Sequence, residues 1–225
     1  MLRGKILECL ELSVYAYMNE SRDWKVNIND YDYIHFFEKD NAFSLITKKQ
    51  NDLYLIFRGS NDFKDWQQNF DFGLTKFQDF EFPNGWIEHY NKLRDDILYF
   101  IANEEYNNLY VSGHSLGGAV SQIASIDITK NILEKNKRII NITFGSPKVL
   151  GDRYTKRYYQ RNITGLHIQN SCDIVTRTPL FMKRNYKIYK VGKCSFWSKI
   201  FGSINAHYPI NYKNNILKNK KLRSL

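Results

Sequence analysis

The amino-acid sequence predicts an α/β fold in which a central, mostly parallel sheet carries helices on both faces. Strand-like runs rich in β-branched and aromatic residues alternate with helix-like segments through the middle of the chain, a pattern typical of this class. A glycine-rich turn near the centre joins one such run to a helix-forming stretch. At 225 residues and 43% hydrophobic content, the chain suits one sizeable core better than two domains with a linker. We therefore expect residues 1–225 to form a single domain.

The first half of the chain is predicted to contain two helices and two strands. Apolar side chains recur at helical spacing over residues 6–18 and again, on one face, over residues 86–102. Residues 43–47 and 53–57 are typical of strands, and the polar stretch 48–52 between them predicts a turn. The second helix leads into the strand that precedes the central turn.

The second half of the chain is predicted to contain one long helix and three strands. Residues 116–130 are rich in Ala, Ile, Val and Ser and predict a helix that starts directly after the central turn. Residues 139–144, 163–169 and 185–191 are typical of strands. Because reactive groups in such sheets collect where the strands end, the loops after these strands are the places to look for site residues.

Residues 113–117, with the sequence GHSLG, match the nucleophile elbow G-x-S-x-G. The glycines two positions before and after Ser115 remove Cβ atoms that would collide where the turn folds back on itself. The backbone N–H of Leu116 opens the following helix and points at the space where an oxyanion would form. The pattern predicts Ser115 as the nucleophile of an acyl-transfer reaction and Leu116 as an oxyanion-hole donor.

A serine nucleophile needs a histidine base, and in the α/β-hydrolase arrangement this histidine follows the serine and the acid along the chain. Only His167 and His207 follow Ser115. His167 falls inside a predicted strand, which favours a structural role, whereas His207 lies in a loop after the last predicted strand. We expect His207 to be the base. His114 adjoins the nucleophile, but its side chain should diverge at the sharp turn, so a supporting role is expected.

Asp173 is the first candidate for the acid, because it follows a predicted strand and lies between the serine and the histidine. Asp152 also lies in a loop and stays as the alternative, whereas Asp127 falls too far along the helix after the elbow. A second oxyanion donor normally comes from an early strand-end loop. The backbone N–H and hydroxyl of Ser60, at the end of the sequence FRGS, fit that role.

The chain has a formal net charge of +10, and residues 183–193 and 213–223 carry much of it. Such basic stretches suit peripheral contact with an anionic membrane surface. No nucleic-acid partner is expected, since no nucleic-acid-binding motif accompanies the charge. A solvated, lysine-rich surface is the alternative. The sequence does not specify an oligomeric state.

The three cysteines, Cys9, Cys172 and Cys194, are odd in number and far apart in the sequence, which predicts reduced thiols in an intracellular protein. Charged residues interrupt residues 1–18, so no secretory signal is expected there. No segment is long and apolar enough to predict a membrane span.

Four separated motifs together resemble the class 3 lipase family, the fungal triacylglycerol lipase group. They are IFRGS at 56–60, GHSLGGA at 113–119, TFGSPKV at 143–149, and DIV at 173–175 with the late His207. The resemblance implies an α/β-hydrolase-like fold and hydrolysis of carboxylic esters without a cofactor or metal. It also implies Ser115, Asp173 and His207 as the catalytic triad, with Ser60 and Leu116 as the oxyanion hole.

The resemblance further implies a short lid over residues 62–70, in which Trp66 and Phe70 face acyl chains or an interface. Residues 193–201 form an aromatic and basic segment just before His207, for which interface binding and core packing are both open. The predicted function is that of a serine hydrolase, a lipase or esterase, acting on lipid esters. The alternatives are an acyltransferase or thioesterase with the same triad, and a catalytically silent basic module that binds membranes.

Overall fold

The computed structural model describes residues 2–17, 27–60, 71, 73–133, 137–150, 152–179, 187–197 and 202–219. The predicted lid over residues 62–70, including Trp66 and Phe70, lies outside these ranges. The strand predicted over residues 185–191 is described from Lys187 onward.

The described residues contain nine strands: β1 Tyr33–Lys39, β2 Ala42–Lys49, β3 Asp52–Phe57, β4 Leu74–Phe77, β5 Phe80–Pro83, β6 Asn108–His114, β7 Arg138–Phe144, β8 Thr164–Asn170 and β9 Lys187–Val191. Seven of them form one sheet in the order β1-β2-β3-β6-β7-β8-β9, while β4 and β5 pair with each other. Strands β1 to β3 form an antiparallel meander, and in the seven-stranded sheet β3 pairs with β6, β6 with β7, β7 with β8 and β8 with β9, all in parallel. The predicted mostly parallel sheet is confirmed.

The register of the parallel strands brings their carboxyl ends to one edge of the sheet. Phe57 at the end of β3 pairs with Gly113 of β6, His114 pairs with Phe144 of β7, and Phe144 pairs with Ile168 of β8. The loops that follow these strands therefore start side by side. Ser60, Ser115 and Asp173 all lie in these loops.

Helices cover both faces of the sheet, as the sequence predicts. The described helices are α1 Leu2–Tyr15, α2 Asn84–Asn91, α3 Arg94–Ala102, α4 Leu116–Asn131, α5 Arg153–Asn162 and α6 Pro209–Lys218. Side chains of α1 and α6 pack with one set of strand residues, including Tyr54 and Ile56. Side chains of α2, α3, α4 and α5 pack with the alternate set, including Leu55 and Phe57. This alternation is what a two-sided sheet requires, because successive strand residues point to opposite faces.

The prediction of a single helix over residues 86–102 is wrong, because the structure divides this stretch into the two helices α2 and α3. The chain turns at Lys92 and Leu93. After the turn, Arg94 reaches the buried carboxylate of Asp127 on α4, with 2.8 Å between Nε and Oδ2. A regular hydrophobic spacing gives no sign of this long-range pairing.

The prediction of three reduced thiols is also wrong, because Cys172 and Cys194 form a disulfide. Cys172 lies two residues beyond β8 and Cys194 three residues beyond β9, and these strands pair with Asn170 opposite Val191. The parallel pairing thus brings together two cysteines that are 22 residues apart, with their Cα atoms separated by 5.5 Å. Cys9 is buried as a free thiol in α1.

Within the described ranges, no helix combines the length and apolar character that crossing a bilayer requires.

Candidate active site

Ser115 occupies the sharp turn between β6 and α4. Its φ of 59° and ψ of −127° are unusual for a residue with a side chain. Its backbone N–H donates to the carbonyl of Phe144 at 2.9 Å, which ties the turn to the neighbouring strand. A Cβ at Gly117 would overlap the carbonyl of Phe57, so only glycine allows α4 to start this close to β3. Contacts with β7 and β3 therefore hold the strained turn in place.

The turn places Ser115 at the N-terminus of a 16-residue helix. The residue is 4% exposed, so it is buried. Leu116 is the first residue of α4. The first backbone N–H groups of a helix have no partner within the helix and carry partial positive charge. This end of α4 therefore favours negative charge beside the serine.

Asp173 and His207 are joined by a buried hydrogen bond. The Nδ1 atom of His207 donates to Oδ2 of Asp173 at 2.8 Å. Two further donors fix the carboxylate: the hydroxyl of Tyr212 donates to Oδ2 at 2.6 Å and the backbone N–H of Val175 donates to Oδ1 at 2.9 Å. Both members of the pair are buried. The acid and the predicted base are thus oriented by contacts from three separate segments.

Gly145 connects this pair to the elbow. It follows Phe144, the residue that accepts the hydrogen bond from Ser115, and its φ is +60°. A Cβ built on Gly145 would lie 3.0 Å from Oδ2 of Asp173 and from Nδ1 of His207. Residue 145 must therefore lack a Cβ atom, so that His207 and Asp173 can approach the end of β7. This close approach explains the glycine of the TFGSPKV motif.

His114 supports the other side of His207. Its Nε2 atom lies 2.8 Å from the backbone carbonyl of His207, and its Nδ1 atom lies 3.0 Å from the hydroxyl of Tyr17. Burial, followed by the nearby His207, lowers the pKa of His114 from 6.5 to about 3. The neutral ring must donate from Nε2, because a carbonyl can only accept, and Nδ1 then accepts from Tyr17. The structure thus gives His114 a bond to the turn that carries His207.

Ser60 lies three residues beyond β3, in a turn that packs against the elbow. A Cβ on the preceding Gly59 would lie 2.7 Å from the carbonyl oxygen of His114 and would overlap the Tyr17 hydroxyl. The turn therefore passes close to the residue that precedes Ser115. Ser60 itself is half-buried. The two predicted oxyanion donors, Ser60 and Leu116, come from neighbouring strand ends.

The structure places the other candidates away from this pair. Asp152 caps α5, where its carboxylate accepts from the backbone N–H and the hydroxyl of Thr155. Asp127 bonds to Arg94 and Tyr90 in the core. The ring of His167 bonds to Thr143 on the adjacent strand. Within the described ranges, no group of three or more His, Cys, Asp or Glu residues converges as a metal site.

Sequence reasoning missed Tyr17 and Tyr212, the two hydroxyl groups that contact the site residues. Tyr17 follows the end of α1 and Tyr212 lies in α6. Helices α1 and α6 pack on the same face of the sheet. No local signal distinguishes these tyrosines from the other fourteen in the chain.

Comparisons with known proteins agree with this geometry. The profile of the family Lipase (class 3) matches residues 54–183. The lipase of Rhizopus niveus is 28% identical over 152 residues, which cover 62% of this chain and 38% of that protein. Phospholipase A1-II 1 of Oryza sativa subsp. indica is 24% identical over 157 residues, which cover 58% of this chain and 40% of that protein. The matches thus span about two fifths of the length of these relatives.

The likeness extends to solved structures. The triacylglyceride lipase of Rhizomucor miehei superposes with a TM-score of 0.77 at 19% identity, covering 91% of this chain and 92% of that one. The two proteins therefore share the fold, with its mostly parallel sheet and helices on both faces.

Proposed function

Because the chain belongs to the class 3 lipase family, we propose that it hydrolyses carboxylic esters of lipids. The observation that carries the proposal is the buried hydrogen bond from His207 to Asp173, which lies beside the strained turn of Ser115. A nucleophilic serine, a histidine base and an orienting carboxylate are the parts that acyl transfer requires. No step of the proposed reaction needs a cofactor.

In the proposed reaction, the Ser115 hydroxyl attacks the ester carbonyl while His207 Nε2 takes its proton. The carbonyl oxygen becomes an oxyanion, which the backbone N–H groups of Ser60 and Leu116 stabilise. Loss of one such donor typically costs roughly 3–4 kcal/mol of transition-state stabilisation. The intermediate then expels the alcohol, which receives the proton from His207. Water, deprotonated in turn by His207, hydrolyses the acyl-enzyme and restores the serine.

Asp173 has a positioning role in this scheme. Its hydrogen bond keeps the proton of neutral His207 on Nδ1, so that Nε2 is available as the base. It also stabilises the imidazolium that forms in the transition state. Three donors converge on the carboxylate, which limits its rotation.

The substrate class follows from the family and from the surface of the chain. The relatives are named as a lipase and a phospholipase A1, so triacylglycerol and phospholipid are the first esters to test. We also propose peripheral contact with an anionic membrane surface, supported by the net charge of +10. Intracellular location stays a prediction. The disulfide argues against it, because disulfides persist mainly in oxidising surroundings.

We propose that residues 1–225 act as one domain. The main sheet runs from residue 33 to residue 191 without a break in strand pairing. Helix α1, near the start of the chain, and helix α6, near its end, are joined by the Lys213–Glu11 ion pair at 3.2 Å. The guanidinium of Arg3 also donates to the carbonyl of Leu217 at 3.2 Å.

The test is hydrolysis of a soluble short-chain p-nitrophenyl ester by the wild type and by Ser115→Ala. We expect the variant to lose roughly a million-fold in kcat, as the removal of a triad nucleophile does elsewhere. Ser125→Ala is the matched control, because Ser125 is also buried in the elbow helix, where its hydroxyl bonds to the backbone of Ser121. A fluorophosphonate probe should label the wild type and the control but not Ser115→Ala. Equal turnover by all three proteins would refute the proposal.

A further inference from the structure

The net positive charge of this chain comes from one part of the sequence. Residues 174–225 contain 12 Lys and Arg residues and no Asp or Glu, whereas residues 1–173 contain 21 basic and 23 acidic residues. The last acidic residue of the sequence is Asp173 itself. The segment that supplies His207 is therefore strongly basic, and the segment that supplies Ser115 is close to neutral.

The exposed apolar side chains are concentrated in the same part of the chain. Among the described residues, nine large hydrophobic side chains are exposed, and six of these lie between residues 196 and 217. Phe196 is 69% exposed and Trp197 67% exposed, and Ile204, Tyr208 and Ile210 also face solvent. Scattered single apolar side chains are normal on a protein surface, but an aromatic and aliphatic group of this kind marks an interaction site.

Two contacts attach the part of the chain with these exposed side chains to the loop that carries Asp173. The disulfide joins Cys194, two residues before Phe196, to Cys172. The backbone N–H of Ser203 donates to the carbonyl of Cys172 at 2.8 Å, and Ser203 forms an isolated bridge with Asp173. Cys194 and Ser203 are therefore both fixed at Cys172, the residue that precedes the candidate acid.

The remaining exposed side chains flank the candidate base. Ile204 lies three residues before His207, and Tyr208 directly follows it. Lys190 and Lys193, at the end of β9 and just beyond it, are exposed beside the disulfide. We call Lys190, Lys193, Phe196, Trp197, Ile204 and Tyr208 the C-terminal surface.

We propose that the C-terminal surface docks this protein on lipid that carries anionic headgroups, so that the site containing His207 and Asp173 faces the ester layer. The inference rests on the proposed lipid-ester hydrolysis and specifies the surface that delivers the enzyme to its substrate. Aromatic side chains and aliphatic groups enter the headgroup region, and lysines are attracted to anionic headgroups. No Asp or Glu side chain follows Asp173 in the sequence.

Lipid fits this surface better than the other occupants. Nucleic acid would use the lysines but would leave the aliphatic side chain of Ile204 without a partner, because duplex backbones present phosphates and sugars. A second copy of the chain would bring two basic segments of like charge together. An anionic lipid surface satisfies the cations and the apolar side chains at once.

The first experiment measures sedimentation with phosphatidylcholine vesicles that contain or lack phosphatidylserine. Phe196→Ser combined with Trp197→Ser should lower partitioning onto phosphatidylserine vesicles by at least about tenfold, because two aromatic side chains no longer enter the lipid. Tyr99→Ser is the matched control, since Tyr99 is 76% exposed on α3, outside this surface. Its partitioning should equal that of the wild type. Equal partitioning of all three proteins would overturn the proposal.

The second experiment tests the charge of the surface. Lys190→Glu combined with Lys193→Glu should remove the preference for phosphatidylserine vesicles over phosphatidylcholine vesicles. Lys39→Glu combined with Lys76→Glu makes the same change in net charge at exposed lysines of β1 and β4, and should keep that preference. High salt should weaken binding of the wild type, because it screens exposed charges. Equal losses in the two pairs would mean that net charge alone drives binding, and would also overturn the proposal.

Turnover of a soluble ester by the same preparations separates this inference from the proposed function. If the wild type binds vesicles through this surface but hydrolyses no ester, the proposed function fails and docking stands. If the wild type hydrolyses the soluble ester and the surface variants bind vesicles as it does, docking fails and the function stands. For the aromatic variant, we expect the loss of turnover on vesicle lipid to exceed any loss on the soluble ester.

Discussion

The two sides of the candidate active site are built in different ways. The nucleophile side comes from consecutive residues, because Ser115 and Leu116 lie at the junction of β6 and α4. The acid–base side is assembled from residues 34 positions apart in the chain, Asp173 and His207. Tyr212 from α6 adds a further bond to this pair.

The difference shows where each side is vulnerable. The elbow depends on close backbone packing at a few positions, so a single methyl group should damage it. The acid–base side depends on hydrogen bonds from distant elements, so its weak points lie in residues that no local motif marks. Substitutions can test the two sides separately.

The largest effect is expected from Gly117→Ala on the nucleophile side. The new methyl group would overlap the carbonyl of Phe57, and neither backbone can move without disturbing the sheet. We expect the free energy of unfolding to fall by about 3 kcal/mol or more, as for other overpacked core sites. Urea unfolding followed by circular dichroism measures this change.

Gly4→Ala provides the control for this substitution. Gly4 lies in α1, and a Cβ at that position would meet no atom within 4 Å. Replacement of a helical glycine by alanine should therefore stabilise the protein by roughly 0.5–1 kcal/mol. If Gly117→Ala were as well tolerated as Gly4→Ala, the close packing of the elbow against β3 would be disproved.

A smaller effect is expected from Tyr212→Phe on the acid–base side. The change removes the hydrogen bond to Asp173, and a bond to a charged group is worth about 1.5–3 kcal/mol of stability. Without it, the carboxylate should hold His207 less firmly. We expect kcat on a soluble ester to fall roughly tenfold, about 1.4 kcal/mol in the barrier, while KM stays nearly constant.

Tyr159→Phe separates orientation from general destabilisation. Tyr159 is also fully buried, and its hydroxyl donates to the side chain of Asn141 at 2.7 Å, in the core. This variant should lose stability but keep the kcat of the wild type. Equal losses of kcat in the two tyrosine variants would show that Tyr212 acts through stability alone.

The same contrast explains how far sequence reasoning reaches. The elbow was predictable because its glycines, its serine and its flanking strand and helix are adjacent in the sequence. The fold class was predictable because the periodicity of most of its strands and helices is local. Both predictions depend on interactions within about one element.

Features that depend on contacts between separate elements, or on an element that was not predicted, escaped prediction. The disulfide follows from the pairing of β8 with β9, which no cysteine spacing reveals. Asp152 remained an alternative acid because the polar residues 153–162 were not predicted as a helix, and only that helix explains the residue as its cap. Tyr212 could be linked to Asp173 only once α6 was placed on the sheet.

The third effect depends on pH and is expected from His114, which belongs to the nucleophile side by sequence and to the acid–base side by its bonds. Its pKa in the folded protein is lowered to about 3, mainly by burial, against an ordinary value of 6.5. Between these values the unfolded chain binds more protons than the folded protein does. Stability should therefore be lost as the pH falls from about 6.5 toward 3, at up to about 1.4 kcal/mol per pH unit from this group.

His114→Gln isolates that contribution, because glutamine does not titrate and its amide N–H can still donate toward the carbonyl of His207. His89, whose pKa burial lowers to about 4, is present in both proteins, so its contribution cancels in the difference between them. Urea unfolding at several pH values should show the wild type losing its advantage over His114→Gln as the solution becomes more acidic. A difference that stays constant from pH 6.5 to 4 would mean that His114 is not held neutral between the two sides of the site. A shrinking difference would mean that the folded protein holds His114 neutral at pH values where the unfolded chain protonates it.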